Sequence, residues 1–221
     1  MNLRLPMTIG FLLIAAMAAM SVWGWLALPA DAQLATHWGF DGRVNGHMSK
    51  GIGLVLLPAI ALATTLFIAL IPRIEPRREH LAESRKAFFV FWIGALGVLA
   101  LGHAMIVLTA MGYAIDIPGT LLIAVAVMLA AGGNYLGKVR SNFFLGIRTP
   151  WTLSSELSWE KSHRLLGRLF VLSALVTLAV RFAVGVEAGY LAFAATVTAS
   201  AMVAIVSSYV YWKQDPERGT A

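Results

Sequence analysis

Glu156, Glu160 and His163 recur at i, i+4 and i+7, the spacing that sets three side chains on one face of a helix. Arg148, Lys161 and Arg164 stand beside them in one polar stretch, Gly146 to Arg164, which also holds Trp151 and Trp159. Two carboxylates, an imidazole and three fixed cations are groups that bind a charged ligand, relay a proton or hold a cation. The same groups also suit a helix lying at a membrane interface, its charges paired with one another and with lipid phosphates. Spacing by itself favours that plainer reading. A second cluster, His37, Asp41 and His47, supplies three donors of the kind a metal site uses. Its spacing matches no strong zinc pattern, and a tetrahedral site wants a further ligand. The expectation is a hydrogen-bonded loop capping the rest of the chain, with metal as the alternative. Glu160 and His163 also form one copy of the Glu-x-x-His unit of di-iron bundles, where several ligand sets are needed, and HExxH is absent. These features speak against a metal-dependent membrane enzyme. The chain is read as no enzyme and as holding no cofactor. It has no cysteines, which excludes disulfide and thiol chemistry.

The elements that must position these residues are mostly apolar. The chain is 59% hydrophobic and 13% charged, with a mean hydropathy of +0.76, where soluble domains carry about 25% charged residues. A membrane helix needs roughly 20 apolar residues. Six stretches qualify, at about Met7–Leu28, Ile52–Ile71, Phe88–Gly112, Ile117–Leu136, Leu165–Val186 and Tyr190–Trp212. The first is too long for a signal-peptide core and lacks a good cleavage site, so it reads as an uncleaved helix. The expected fold is all-α: a polytopic membrane bundle of six spans, one domain over residues 1–221, with a short interfacial helix between spans four and five.

Basic residues concentrate before span one, between spans two and three, between spans four and five, and in the tail. Only Arg43 and Lys50 fall in the loops on the other side. The positive-inside rule then puts both termini in the cytoplasm. It also explains the net charge of +6 without nucleic acid as a partner. The run Arg73–Lys86 reads as a solvated loop facing lipid headgroups, with Glu75, Glu79 and Glu83 spaced for a short amphipathic helix. Small residues at four-residue spacing, Gly133/Gly137, Ala15/Ala19, Ala126/Ala130 and Ala195/Ala199, suit helix contacts in lipid.

Two loops are elaborated. The outer one, residues 28–51, carries turn signals at Phe40-Asp41-Gly42 and Asn45-Gly46. The inner one, within residues 134–168, has a helix start at Thr149-Pro150 and a second at Ser154 or Ser155. Trp151 and Trp159 suit the headgroup zone.

The inner segment resembles the signature of the SdpI-like family of membrane immunity proteins. The residues that carry the resemblance are Asn134 to Lys138, Arg140 to Leu153 (with Asn142 and GIRTPWT), Ser155-Glu156, and Trp159 to Arg164. Leu28-Pro29 followed by His37, Trp38, Gly42, Asn45 and Lys50 is similar to a module of unknown function often found in front of that segment. Family members commonly have Phe where Trp38 stands and an Asp near Asn45. The resemblance implies protection of a bacterial cell, from its cytoplasmic membrane, against a secreted peptide toxin. It also implies a signalling role in which a small cytoplasmic repressor is held at the membrane. On that basis the partners are the lipid bilayer, a peptide toxin on the outer face, and a cytoplasmic repressor or other protein. The candidate partner-binding residues are Asn134, Asn142, Arg148, Trp151, Glu156, Trp159, Glu160, His163 and Arg164 inside, with His37 and Asp41 outside.

The rival reading is a small transporter or channel. Its evidence is ionisable groups within the spans, His103 and Arg181, with Asn134 at the inner end of span four. No duplicated half with broken helices accompanies them.

Overall fold

The computed structural model describes residues 1–39 and 41–218. Among them are eight helices and one two-stranded sheet: α1 (Arg4–Ala27), β1 (Gln33–Trp38), β2 (Val44–Ser49), α2 (Lys50–Ile74), α3 (Arg78–Glu83), α4 (Arg85–Ala110), α5 (Ile117–Leu136), α6 (Pro150–Leu153), α7 (Glu156–Ala183) and α8 (Val186–Gln214). Six of the helices are long and apolar enough to cross a membrane, and together they make a multi-pass all-α bundle. Many of their large apolar side chains are exposed, among them Leu12, Phe67, Leu175 and Val206. Such a surface is stable only against lipid.

The helices fall into two groups of three. In the first, α1, α2 and α4 pack on one another. In the second, α7 packs against α5 and α8, and the α4–α5 contact joins the groups. Within the first group Met17, Ala61, Phe88, Trp92 and Leu96 form a continuous buried cluster. Between α5 and α7 the contact is backbone on backbone. A Cβ on Gly167 would lie 2.4 Å from the Gly133 carbonyl oxygen, and one on Gly137 would lie 3.2 Å from the Arg164 Cα. The Gly133/Gly137 pair thus serves the contact its spacing suggested. Ala126 is likewise buried. Ala15, Ala19, Ala195 and Ala199 are exposed, so those repeats face away from the bundle instead of joining helices.

Both chain ends, the α2–α4 connection and the long α5–α7 connection gather at one end of the bundle, here the terminal end. Hydrogen bonds between Arg77 and Leu153, Arg140 and Glu83, and Ser155 and Asp215 hold the two connections and the end of α8 together. The opposite end carries the β1–β2 hairpin.

That hairpin departs from the expected loop. Its strands lack a run of β-branched residues, so propensity did not mark them. They are held by what they touch. Leu34 is fully buried between α2 and α4, with its Cβ 3.0 Å from where a Cβ on Gly53 would sit. Lys50, at the foot of α2, donates to the Leu28 carbonyl at 2.7 Å and lies over the Trp25 ring. The turn forms at Gly39–Arg43, where Gly42 has φ +78° and Asp41 accepts from the Arg43 amide at 3.0 Å. Phe40, read as part of that turn signal, lies outside the described residues. Asn45-Gly46 is no turn: both residues are in β2, and Gly46 pairs with His37 at an irregular register.

Candidate functional site

The α5–α7 connection folds into a cap, and its hydrogen bonds can be followed residue by residue. Asn142 is fully buried. Its Oδ1 accepts from the Phe144 and Leu145 amides at 2.9 and 2.7 Å, and its Nδ2 donates to the Arg140 carbonyl at 2.8 Å. This side chain folds the loop back on itself. Gly146 follows with φ +116°, which aims the Ile147 amide inward. That amide donates to His163 Nε2 at 2.8 Å. Because Nε2 accepts, the ring proton sits on Nδ1, which donates to the Trp159 carbonyl at 2.7 Å. The imidazole stacks on the Trp159 indole at 4.0 Å between centroids, and the indole N–H donates to the Val139 carbonyl at 2.6 Å. His163, Trp159 and Asn142 therefore spend their polar atoms within the cap.

Both helix starts read from the sequence are present. Thr149 caps α6 in a capping box with Thr152, and Pro150 takes the first helical position. Ser155 caps α7, accepting from the Ser158 amide at 3.0 Å. The expected interfacial helix is thus a four-residue turn, α6, after which α7 runs unbroken into the span. The cap is tied to the end of α8 by Trp151 Nε1 donating to Ser208 Oγ, by Ser158 Oγ donating to the Ser208 carbonyl at 2.7 Å, and by Ser155 donating to Asp215. The Ser155 hydroxyl, then the Glu217 amide, hold the Asp215 carboxyl below its usual value.

The expected face of Glu156, Glu160 and His163 is not assembled. Glu156 and Glu160 are exposed while His163 is fully buried. Spacing put the three on one stripe. The loop at Gly146 and Ile147 folds over only the third of them, so depth along the helix separates them. Glu160 pairs with Arg140 at 3.3 Å. Arg148 is exposed and donates to the Phe143 carbonyl at 2.8 Å. Arg164 and Asn134 are exposed on neighbouring helices.

The supports of the cap lie in the run Arg73–Lys86, which was expected to be a solvated loop. Glu75 is fully buried, its carboxylate accepting from the Arg77 amide at 2.9 Å and the Phe143 amide at 3.0 Å. Arg77 donates to Ser141 Oγ and to the Leu153 carbonyl, and its guanidinium lies over the Phe143 ring. His80 Nδ1 donates to the Ser141 carbonyl at 2.8 Å, and Ser84 accepts from the Arg140 amide at 2.9 Å. The short helix read there is real, as α3, but Glu75 precedes it and serves the cap. Pro72 and Pro76 flank Glu75 and were the one local sign that the chain stops being simple helix there.

Residues 138–211 match the SdpI/YfhL protein family, and residues 12–62 match a domain of unknown function, DUF1648. The chain carries the SdpI/YfhL family segment. That segment spans the cap together with α7 and α8, and the second match spans α1, the hairpin and the first half of α2. The chain is also similar to a protein named Immunity protein SdpI of Bacillus subtilis (strain 168). The two are 24% identical over 170 residues, covering 76% of this chain and 78% of that protein. No solved structure matches the chain.

At the hairpin end, outside the SdpI/YfhL segment on its strand side, lies a cleft of about 530 Å³. Thr36, His37, Trp38 and Asn45 form one wall, and Leu121 and Tyr190 form the other. His37 Nδ1 bonds Asn45 Oδ1, and Tyr190 donates to the Pro118 carbonyl at 2.9 Å. Asp41 pairs with Arg43 at 3.7 Å in the open. His47 stands opposite Ala35, not His37. Among the described residues no three His, Asp or Glu groups come together as a metal site, so the His37, Asp41 and His47 alternative is not assembled. The two groups on which the transporter reading rests are also partnered. His103 Nε2 lies 3.0 Å from Ser21 Oγ, and Arg181 donates to Asp116 at 2.7 Å.

Proposed function

We propose that this protein is a multi-pass immunity protein of the bacterial cytoplasmic membrane that protects its cell from a secreted peptide toxin. The observation that carries this is the similarity to Immunity protein SdpI, which extends over three quarters of both chains. The chemistry at the two ends supports it. The basic terminal end faces the cytoplasm under the positive-inside rule. The hairpin end then faces the toxin. Its cleft offers an indole, a phenol, an imidazole and an amide, which suit a peptide better than a small ion. The exposed residues of the cap, Arg148, Glu156, Glu160 and Arg164, with Trp151 at its rim, are what remains for a cytoplasmic repressor or other partner. Signalling would require the two ends to favour one shared state of the bundle.

The test is membrane potential, read with a voltage-sensitive dye in toxin-sensitive cells with and without the protein. The cells are challenged with the sporulation-delaying peptide toxin and, separately, with a neutral ionophore. Protection from the peptide alone supports immunity. Protection from both would favour the ion-transporter reading. Protection from neither removes this toxin as the target.

A further inference from the structure

We infer that the groove between α5 and α7 at the terminal end is a binding site for an anionic phospholipid. This rests on the groove's own residues and is independent of the immunity reading. The groove has a volume of about 540 Å³ and is open on one side. Its floor is bare backbone, supplied by Gly133, Gly137 and Gly167, where the two helices meet too closely for side chains. Its rim is cationic. Arg164 and Arg168 stand one turn apart on α7, and Lys138 faces them just past the end of α5. Asn134 adds an exposed amide, which can donate to a phosphate or glycerol oxygen.

Among the described residues no carboxylate forms an ion pair with Arg164, Arg168 or Lys138. The nearest carboxylate along α7 is Glu160, one turn before Arg164, and Arg140 holds it. Three like charges around one concavity repel one another and wait for an anion.

The level of the groove selects the source of that anion. Arg168 is the last charged residue before an uncharged run, Leu169 to Val180, and α5 is uncharged from Ile117 to Leu136. The cations therefore stand where the apolar part of both helices ends, which is where phosphates of the bilayer lie. Val171 lines the other end of the groove, on the apolar side, where an acyl chain would run. Basic pockets between membrane helices bind acidic headgroups in this way. A zwitterionic headgroup would bring its own ammonium into the cationic rim and lose most of the gain.

The experiment is native mass spectrometry of the full chain in neutral detergent. It is titrated with phosphatidylglycerol, with phosphatidylcholine, and with inorganic phosphate. The expected result is one tightly held phosphatidylglycerol, with phosphatidylcholine weaker by roughly tenfold or more. The double variant Arg164→Gln/Arg168→Gln should lose that preference. Arg164→Lys/Arg168→Lys should keep most of it, which separates lost charge from lost folding. Arg4→Gln/Arg85→Gln, an equal change of charge at the same end, should leave binding unchanged. Equal retention of the two lipids would overturn the proposal. So would an equal loss in the Arg4/Arg85 control pair, which would mean a diffuse surface charge. Phosphate binding as tightly as phosphatidylglycerol would also overturn it, in favour of a soluble ligand.

Discussion

His163 and Gly146 depend on each other at the level of single atoms. A Cβ on Gly146 would fall 2.1 Å from His163 Nε2, and its φ of +116° is one that side chains rarely adopt. Gly146→Ala therefore carries two penalties, backbone strain of about 1–3 kcal/mol and a displaced imidazole. The expected outcome is a melting temperature lowered by several degrees, followed by tryptophan fluorescence of purified protein. His163→Ala should do comparable damage, because it strands the Ile147 amide and opens a cavity beside Trp159. Glu156 makes no side-chain hydrogen bond or ion pair among the described residues, so Glu156→Gln should melt close to the parent protein. If Glu156→Gln nevertheless loses protection in cells, that residue works on a partner. If His163→Ala melts normally, the imidazole does not hold the cap together. The types and spacing of Glu156, Glu160 and His163 were legible in the sequence. Their separation was not, because the Gly146–Ile147 backbone that buries His163 arrives from a loop with no periodicity to read.

Helix ends carry the next level of organisation, and here local chemistry is a good guide. The starts at Thr149 and Ser155 could be read because a cap uses residues only three positions apart. Removing the Thr149 hydroxyl as Thr149→Ala should cost about 1 kcal/mol. Ser155→Ala has a further consequence, since it also frees Asp215. The Asp215 carboxyl is held below its ordinary value of 3.8. A depressed carboxyl stabilises the fold above its unfolded value, and that stabilisation is lost as pH falls through the folded one. Thermal melts of the parent and Ser155→Ala should therefore differ by a steady amount near neutral pH. The difference should narrow below pH 3.8, where the unfolded carboxyl binds its proton. A difference that is flat across this range would remove Asp215 from the account. By contrast, Glu75, Arg77 and His80 were invisible as supports of the cap because their partners lie more than 60 positions away. The hairpin was missed for a similar reason. Leu34 holds it by contacts with α2 and α4, and Lys50 by contacts with the end of α1, not by strand propensity.

At the scale of the whole bundle, the six spans and the gathering of basic loops follow from hydropathy and charge. The sorting of the helices into α1, α2, α4 and α5, α7, α8 does not, apart from the glycines that mark the α5–α7 crossing. The architecture puts the hairpin at one end and the cap, with both termini, at the other. It makes a geometric prediction that needs no toxin. The chain has no cysteine, so single cysteines report position without background. Asp41→Cys lies in the hairpin turn, and Asn2→Cys and Arg148→Cys lie at the terminal end, all three at exposed positions. A membrane-impermeant maleimide added to intact cells should label Asp41→Cys alone. Asn2→Cys and Arg148→Cys should react only once the membrane is opened. The reverse pattern would keep the bundle and invert it, placing the basic cap outside, against the charge rule, and leaving the hairpin cleft out of a toxin's reach. Labelling of Asp41→Cys and Asn2→Cys from the same side would break the six-span arrangement itself, since an even number of crossings with a hairpin after the first cannot bring those two residues to one face.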